Sequence, residues 1–369
     1  MPNDSIETQT RIAVRGLDHY SRDEIEKFWR EWNPEDPKIR AIGLSTPKIC
    51  NLRCIYCYAG SDRVRSKNEL TIDEYKRVVD EARELGAEVA LICGDGEPLM
   101  YKHLVELVKH IAEKEMYPVV VTNGIALGDD TLSQRIHGMN SFKLCETLYE
   151  YEASLVVKMD SITKEIYEKI VNVPGTFDKF MRAVENIQKA GFNKIIGEVD
   201  GKKITRLAFS AVVTTLNINE VRKMKEFARK MNAQFICKLP SLVGEAVKHL
   251  EVMFSPEDYE TIRENLLNEI SDKRETLLAD GMRCMAWHYG IVIDDCGEVR
   301  ECYTSPCTPE NRVGNIRERS LKELLRIRCQ KFNVLMNDVC PVKKRINEEW
   351  MKKKGRAFYK LKESDILKI

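Results

Sequence analysis

The chain has 369 residues, 43% hydrophobic and 32% charged, which suits a globular protein with a large core and room for a second, smaller unit. Lysine and arginine number 59 against 58 aspartates and glutamates, a net charge of +1, so neither nucleic acid nor a membrane surface is indicated as a partner. No apolar stretch approaches the roughly 20 residues of a membrane span and the first residues lack a signal peptide's basic start and apolar run, so the expected location is cytoplasmic, where twelve cysteines argue for metal sites or buried thiols over disulfides.

Residues 1–40 read as a peripheral segment, with a short amphipathic helix over Ser21–Trp32 ended by Pro34 and Pro37. Ile42–Ser45 is a short apolar strand that leads into a cysteine loop. A helix follows over about Ile72–Leu85; Thr71 caps it with Glu74 reaching back, and Gly86 closes it. The strand Glu88–Ile92 runs into Cys93-Gly94-Asp95-Gly96-Glu97-Pro98, and a helix covers about His103–Lys114. Further strands are expected at Pro118–Thr122, Ser154–Met159, Leu207–Val213 and Phe235–Leu239, with helices at Phe177–Lys189 and Ile218–Met231. Strands alternating with helices imply an α/β fold with a parallel sheet of βα units, whose functional groups belong at the C-terminal strand ends. Beyond about residue 250 the pattern changes. A polar helix over about Pro256–Leu278 leads into a cysteine-rich region from Cys284 to Cys340 and a lysine-rich tail. Within that region Gly290–Cys302 reads as a hairpin turning at Gly297, which brings Cys284 and Cys302 together, and a helix follows over about Ser320–Arg328.

The loop after the first strand is Cys50-Asn51-Leu52-Arg53-Cys54-Ile55-Tyr56-Cys57-Tyr58. Three thiolates this close can hold one face of a cubic [4Fe–4S] cluster and leave its fourth iron without a protein ligand. An open metal position marks a catalytic site. A structural zinc would want a fourth ligand nearby, and no histidine lies in the loop. The C-x3-C-x2-C spacing, with the aromatic Tyr56 before the third cysteine, resembles the signature of the radical S-adenosylmethionine (SAM) enzymes, and the resemblance covers about residues 40–345.

That resemblance implies a partial (β/α)6 TIM-like barrel with a smaller cysteine-rich α+β extension at its C-terminal side. The divisions expected are a peripheral segment at 1–40, the barrel at 41–250, a SPASM- or twitch-like auxiliary iron–sulfur unit at 251–345 and a tail helix at 346–369. It also implies a SAM-binding [4Fe–4S] cluster on Cys50, Cys54 and Cys57. Gly94, Asp95, Gly96 and Glu97 stand where the family has Gly-Gly-Glu-Pro, the loop that contacts the SAM amino group, with Asp95 in place of the second glycine. Further SAM contacts implied are Tyr56, Asn123 at the end of Val121-Thr122-Asn123-Gly124, Asp160 and Ser161 where a Ser-x-Asp is usual, and Asn217. Lys158 replaces the usual serine of that element, and Gly244-Glu245-Ala246 resembles the family's closing Gly-x-Ala. A second, auxiliary [4Fe–4S] cluster is implied on Cys284, Cys302, Cys307 and Cys340, with Cys296 and Cys329 competing for a place. Cys93, Cys145 and Cys237 read as structural. His288 is a weak candidate contact within the auxiliary motif, and His103 and His110 a surface pair.

The implied reaction is reductive cleavage of SAM to a 5′-deoxyadenosyl radical that takes a hydrogen atom from substrate, with electrons from a reductant such as flavodoxin or ferredoxin. An auxiliary cluster favours a net two-electron oxidation of a small, alcohol-bearing metabolite. The alternatives are a maturase acting on a peptide substrate and a non-catalytic zinc- or cluster-binding protein. Molybdenum-cofactor synthesis is disfavoured by the terminus Leu367-Lys368-Ile369, which lacks that family's glycine pair.

Overall fold

The computed structural model describes residues 11–59, 64–241, 244–255, 290–300 and 312–332, and residues 262, 279–280, 283–284, 348 and 352 besides. The chain opens with strand β1 (Arg11–Val14) and helix α1 (Arg22–Arg30). Then come β2 (Ala41–Ser45), α2 (Ile72–Glu84), β3 (Val89–Cys93), α3 (Leu104–Glu113) and β4 (Tyr117–Thr122). Two helices, α4 (Asp130–His137) and α5 (Ser141–Glu150), precede β5 (Ser154–Lys158), and two more, α6 (Lys164–Val171) and α7 (Phe177–Ala190), follow it. A short pair, β6 (Gly197–Val199) and β7 (Lys202–Thr205), leads to β8 (Leu207–Val212), α8 (Val221–Lys230) and β9 (Gln234–Lys238). Four short strands, β10 (Ala279–Asp280), β11 (Arg283–Cys284), β12 (Gly290–Ile293) and β13 (Val299–Arg300), come before the last helix, α9 (Leu321–Phe332).

Six strands pair in parallel in the order β2-β3-β4-β5-β8-β9. Consecutive pairing with helices between the strands is the βα pattern read from the sequence. The strands are buried on both faces, which explains their near-continuous apolar runs. One face packs with the helices in the main core, where Val120, Leu155, Phe209 and Phe235 are fully buried. The other face carries a smaller cluster of Val89, Val119, Val156, Ala208 and Ile236.

The segment expected to be peripheral reaches into that second cluster. Val14 and Tyr20 belong to it, β1 pairs with β7 in parallel, and Val14 N–H donates to Gln234 Oε1 at 3.0 Å. Helix α1 occupies most of the span expected for it.

The helix start at Thr71 is as read from the sequence. Its side chain accepts from Glu74 N–H, and Glu74 reaches back to the Thr71 backbone. Glu74 also binds Arg317, and that contact, with the Thr71 bonds against the cost of burial, lowers its carboxyl to about 2.

The hairpin expected at Gly290–Cys302 is present as β12 and β13, turning through Gly297. It joins the main sheet, because β12 lies parallel to β2 with Ile291 opposite Ile42. Asp294 caps the turn by accepting from Cys296 N–H and Glu298 N–H, both at 2.9 Å. Residues 312–321 then dock on α2: Arg77 donates to Ile316 O at 2.7 Å and Leu321 N–H to Glu81 at 2.6 Å. Cys302, Cys307, Cys340, His288, the helix expected at Pro256–Leu278 and the tail beyond residue 352 lie outside the described residues; of Cys284 only the backbone, in β11, is described.

Candidate active site

The C-terminal ends of the parallel strands converge on the cysteine loop, as expected for functional groups in a βα sheet. The loop is anchored from beneath, with Arg53 N–H bonding Val171 O at 2.9 Å and Ile55 N–H bonding Ile170 O at 3.0 Å at the end of α6. Cys50, Cys54 and Cys57 are half-buried and in no disulfide. Burial first, then nearby Asp160, Cys50 and Cys57, push the Cys54 thiol up, with Lys158 opposing. Such a thiol ionises when a cation compensates it.

Thiolates on one zinc lie about 3.8 Å apart, given Zn–S bonds of about 2.3 Å in a tetrahedron. The only described His, Cys, Asp or Glu group whose ligand atoms all fall within 4.8 Å of one another is Asp294, Asp295 and Cys296. Cys50, Cys54 and Cys57 do not form such a group.

The Gly94–Pro98 loop packs directly on the cysteine loop. Glu97 N–H donates to Ile49 O at 2.7 Å, and a Cβ at Gly96 would overlap the Pro47 carbonyl oxygen, so only glycine allows this approach. The Glu97 carboxylate is buried and engaged: it accepts from Leu99 N–H at 3.0 Å, from Asn123 N–H at 2.7 Å and from the Thr122 hydroxyl. It ties the ends of β3 and β4 together. Asn123, held there, donates through Nδ2 to Asn51 Oδ1 at 2.8 Å, with Cys50 Sγ at 3.9 Å.

Asp95 is buried and bound by Arg300 of β13. Asp294 lies 3.6 Å from Arg300 Nε. Burial lowers the Arg300 guanidinium, but Asp95 and then Asp294 and Tyr58 outweigh it and raise it. Tyr58, just after the third cysteine, is raised by burial, then by Cys93 and Asp95.

At the end of β5, Asp160 is 1% exposed. It accepts from the Tyr56 hydroxyl and, at 2.9 Å, from Val212 N–H. Lys158 Nζ lies 3.3 Å from Asp160 and 5.2 Å from the Tyr56 ring centre, is shielded from solvent and donates no hydrogen bond. Ser161 and Asn217, expected as SAM contacts, are fully buried behind Asp160. Ser161 Oγ bonds Glu220 and accepts from Thr163 N–H at 2.9 Å. Asn217 donates to Asp160 O at 2.7 Å and Val212 O at 3.0 Å and accepts from Thr214 N–H at 2.8 Å. Both brace the strand ends. Gly244, at φ +62°, sets its backbone against the cysteine loop, and Glu245 N–H donates to Cys57 O at 2.8 Å.

A profile of the Radical SAM superfamily matches residues 44–229, half of the chain. The chain belongs to the radical SAM superfamily. The family uses a [4Fe–4S] cluster and SAM, and Cys50, Cys54 and Cys57 are the residues of this chain that would hold such a cluster. Fe-coproporphyrin III synthase of Methanosarcina barkeri is 36% identical to it over 143 residues, 38% of this chain and 32% of that protein. AdoMet-dependent heme synthase of the same organism is 25% identical over 227 residues, 60% of this chain and 56% of that protein. The matches thus span about a third and just over half of these two relatives. Streptococcus suis SuiB, in its structure bound to the precursor peptide SuiA, shares the fold, with a TM-score of 0.58 at 15% identity over 82% of this chain and 68% of that one.

Of the other cysteines, Cys145 and Cys237 are buried as expected, and Cys93, Cys296 and Cys329 are half-buried. His103 pairs with Glu106, and His110 bridges to Asp80 of α2 at 2.8 Å. Among the described residues, no helix is long and apolar enough to cross a membrane.

Proposed function

We propose that this enzyme reductively cleaves SAM at a cluster held by Cys50, Cys54 and Cys57 and takes a hydrogen atom from a small, alcohol-bearing metabolite in a net two-electron oxidation. The observation that carries the first part is one loop presenting three cysteines outside any disulfide at the convergent strand ends. When bound, the cluster supplies the electron and SAM the hydrogen-abstracting carbon radical. The protein's residues bind, aim and exclude water.

In this reading the carbonyls of the Gly94–Glu97 loop accept hydrogen bonds from the SAM ammonium, and Glu97 holds that loop against Asn123. Lys158, buried and donating no hydrogen bond, offers its ammonium to the SAM carboxylate. Asp160 fixes Tyr56 beside Cys57 while Asn217 holds Asp160 in place.

The oxidative outcome rests on the C-terminal unit. Its hairpin extends the main sheet beside β2, and Arg300 ties it to the SAM loop through Asp95. Cys284, Cys302, Cys307 and Cys340 are the proposed ligands of an auxiliary [4Fe–4S] cluster that accepts the second electron. A flavodoxin or ferredoxin is the proposed reductant, and the clusters' need for a reducing compartment supports a cytoplasmic location.

Anaerobic reconstitution with metal analysis, then turnover of SAM with dithionite and deuterated candidate alcohols, tests the reading. Release of 5′-deoxyadenosine carrying deuterium from an alcohol, with about eight irons per chain, is expected for two four-iron clusters. Zinc in place of iron would overturn the cluster assignment, and deuterium transfer from peptides alone would overturn the metabolite assignment in favour of peptide maturation.

A further inference from the structure

A second concave site lies at the end of the sheet away from the cysteine loop. It is an open hollow of about 440 Å³, and its lining includes Arg15, His19, Tyr117, Glu152, Ile196, Glu198 and Arg206. Tyr117 begins β4, Arg206 immediately precedes β8, and Ile196 sits at the base of the β6–β7 hairpin. These are the N-terminal strand ends. Strand β5 alone, with five residues, separates the two ends by roughly 17 Å. Nothing in the radical chemistry uses this site.

Its cations are largely buried while its carboxylates, Glu152 and Glu198, are exposed. Arg206 is 7% exposed, stacks 3.7 Å from the Tyr149 ring centre and donates to Tyr149 O at 2.9 Å. Arg15 lies 4.8 Å from the Tyr117 ring centre and donates through Nη2 to Glu152 O at 2.5 Å, but its Nε is buried with no hydrogen-bond partner. Burial lowers the Arg15 guanidinium, as does the charge of Arg206; Glu152 opposes them. The Glu152 carboxylate is 63% exposed and 3.6 Å from Arg15 Nη1. Two largely buried cations thus face only solvated carboxylates, Glu152 and Glu198, an arrangement that an incoming anion relieves.

Glu198, on the exposed β6 strand, is a second solvated carboxylate of the lining, and the rest is apolar or neutral. Ile196 is 44% exposed at the rim. His19 stands edge-on to Tyr117 with ring centres 5.2 Å apart. Its Nδ1 accepts from Gly16 N–H at 2.8 Å, so the neutral ring carries its proton on Nε2.

We infer that this cavity binds a small organic anion, with a phosphate or carboxylate group on Arg15 and Arg206 and an apolar body against Tyr117 and Ile196. Guanidinium forks suit both headgroups, and the volume lies within the range of small-molecule sites. The site is separate from the SAM site.

Calorimetric titration of the full-length protein with phenyl phosphate, benzoate and inorganic phosphate tests this without any need for turnover. Saturable 1:1 binding of phenyl phosphate or benzoate is expected, and which of them binds tighter identifies the headgroup. Loss of a charge-assisted hydrogen bond should weaken binding at least about tenfold in Arg15→Gln, with melting curves reporting its fold. Glu152→Gln, on an exposed turn, removes the carboxylate that competes for Arg15 and should tighten binding several-fold, which keeps the test open if Arg15→Gln does not fold. Absence of saturable binding by both organic anions, or affinity unchanged by the substitutions, would overturn the assignment. Equal affinity for inorganic phosphate would overturn its apolar half.

Discussion

The guanidinium of Arg300 grips the carboxylate of Asp95 through two hydrogen bonds, of 2.5 and 3.1 Å, and both side chains are buried. Asp95 stands where the family's SAM-binding loop has glycine, and a bare carboxylate there would compete with the loop carbonyls for the SAM ammonium. Arg300, brought over by the C-terminal hairpin, neutralises it. Breaking a buried pair by removing one partner typically costs about 3–5 kcal/mol, so Arg300→Met should destabilise the protein by that order in chemical denaturation. The double variant Asp95→Gly with Arg300→Met should recover most of the loss. An Arg300→Met variant as stable as the parent would show that the pair holds nothing.

Glu97 is predicted to matter through Asn123. Glu97→Gln puts an amide N–H against one of the N–H donors that the carboxylate now accepts, leaving a buried donor unsatisfied at about 1–3 kcal/mol. A lower melting temperature and a raised KM for SAM, with iron content retained, are the expected result.

Lys158 is predicted to hold the SAM carboxylate. Lys158→Met should weaken SAM binding about tenfold or more, the scale of a lost charged hydrogen bond, and Lys158→Arg should restore part of it. Equilibrium binding to the reconstituted, oxidised enzyme separates this from any effect on turnover. Unchanged affinity in Lys158→Met would remove the lysine from the site.

The pH dependence of stability should carry a signature of His19. Burial first, then the charges of Arg15, Lys202 and Arg40 against Glu24, lower its pKa from 6.5 to about 4 in the folded chain. The unfolded chain therefore binds the extra proton first as pH falls. The stabilisation is fully present above 6.5 and is lost toward 4, with a slope of up to about 1.4 kcal/mol per pH unit. Unfolding curves of His19→Phe should lack this slope between pH 4 and 6.5.

Much of this arrangement was legible in the sequence because local rules decide it. The capping box of Thr71 and Glu74, the strand ahead of Cys50 and the glycines of the Gly94 loop are local signals, and each stands where it was read. The β6–β7 hairpin had a signal that went unread: Asp200-Gly201 sits at its turn with both residues at positive φ, a common hairpin turn, flanked by strands too short and polar to stand out. β1 is four residues long and is a strand because β7 and the inner face of the sheet accept it. Arg300 was not legible. A charged residue inside a glycine loop demands a counterion, but which of 59 lysines and arginines supplies it depends on a sequence separation of 205 residues that only the fold closes. Ser161 and Asn217 were read for their polar side chains, and burial turns those side chains inward as ties.

The central claim is that three cysteines leave one iron free for SAM. Electron–nuclear double resonance on the reduced enzyme, with SAM labelled with ¹⁷O in its carboxylate and ¹⁵N in its amino group, addresses it directly. The account predicts hyperfine coupling of both labels to the cluster spin, abolished in Cys54→Ala. A cluster that forms on the loop but shows no coupling to either label, its fourth iron held by another side chain, would contradict it.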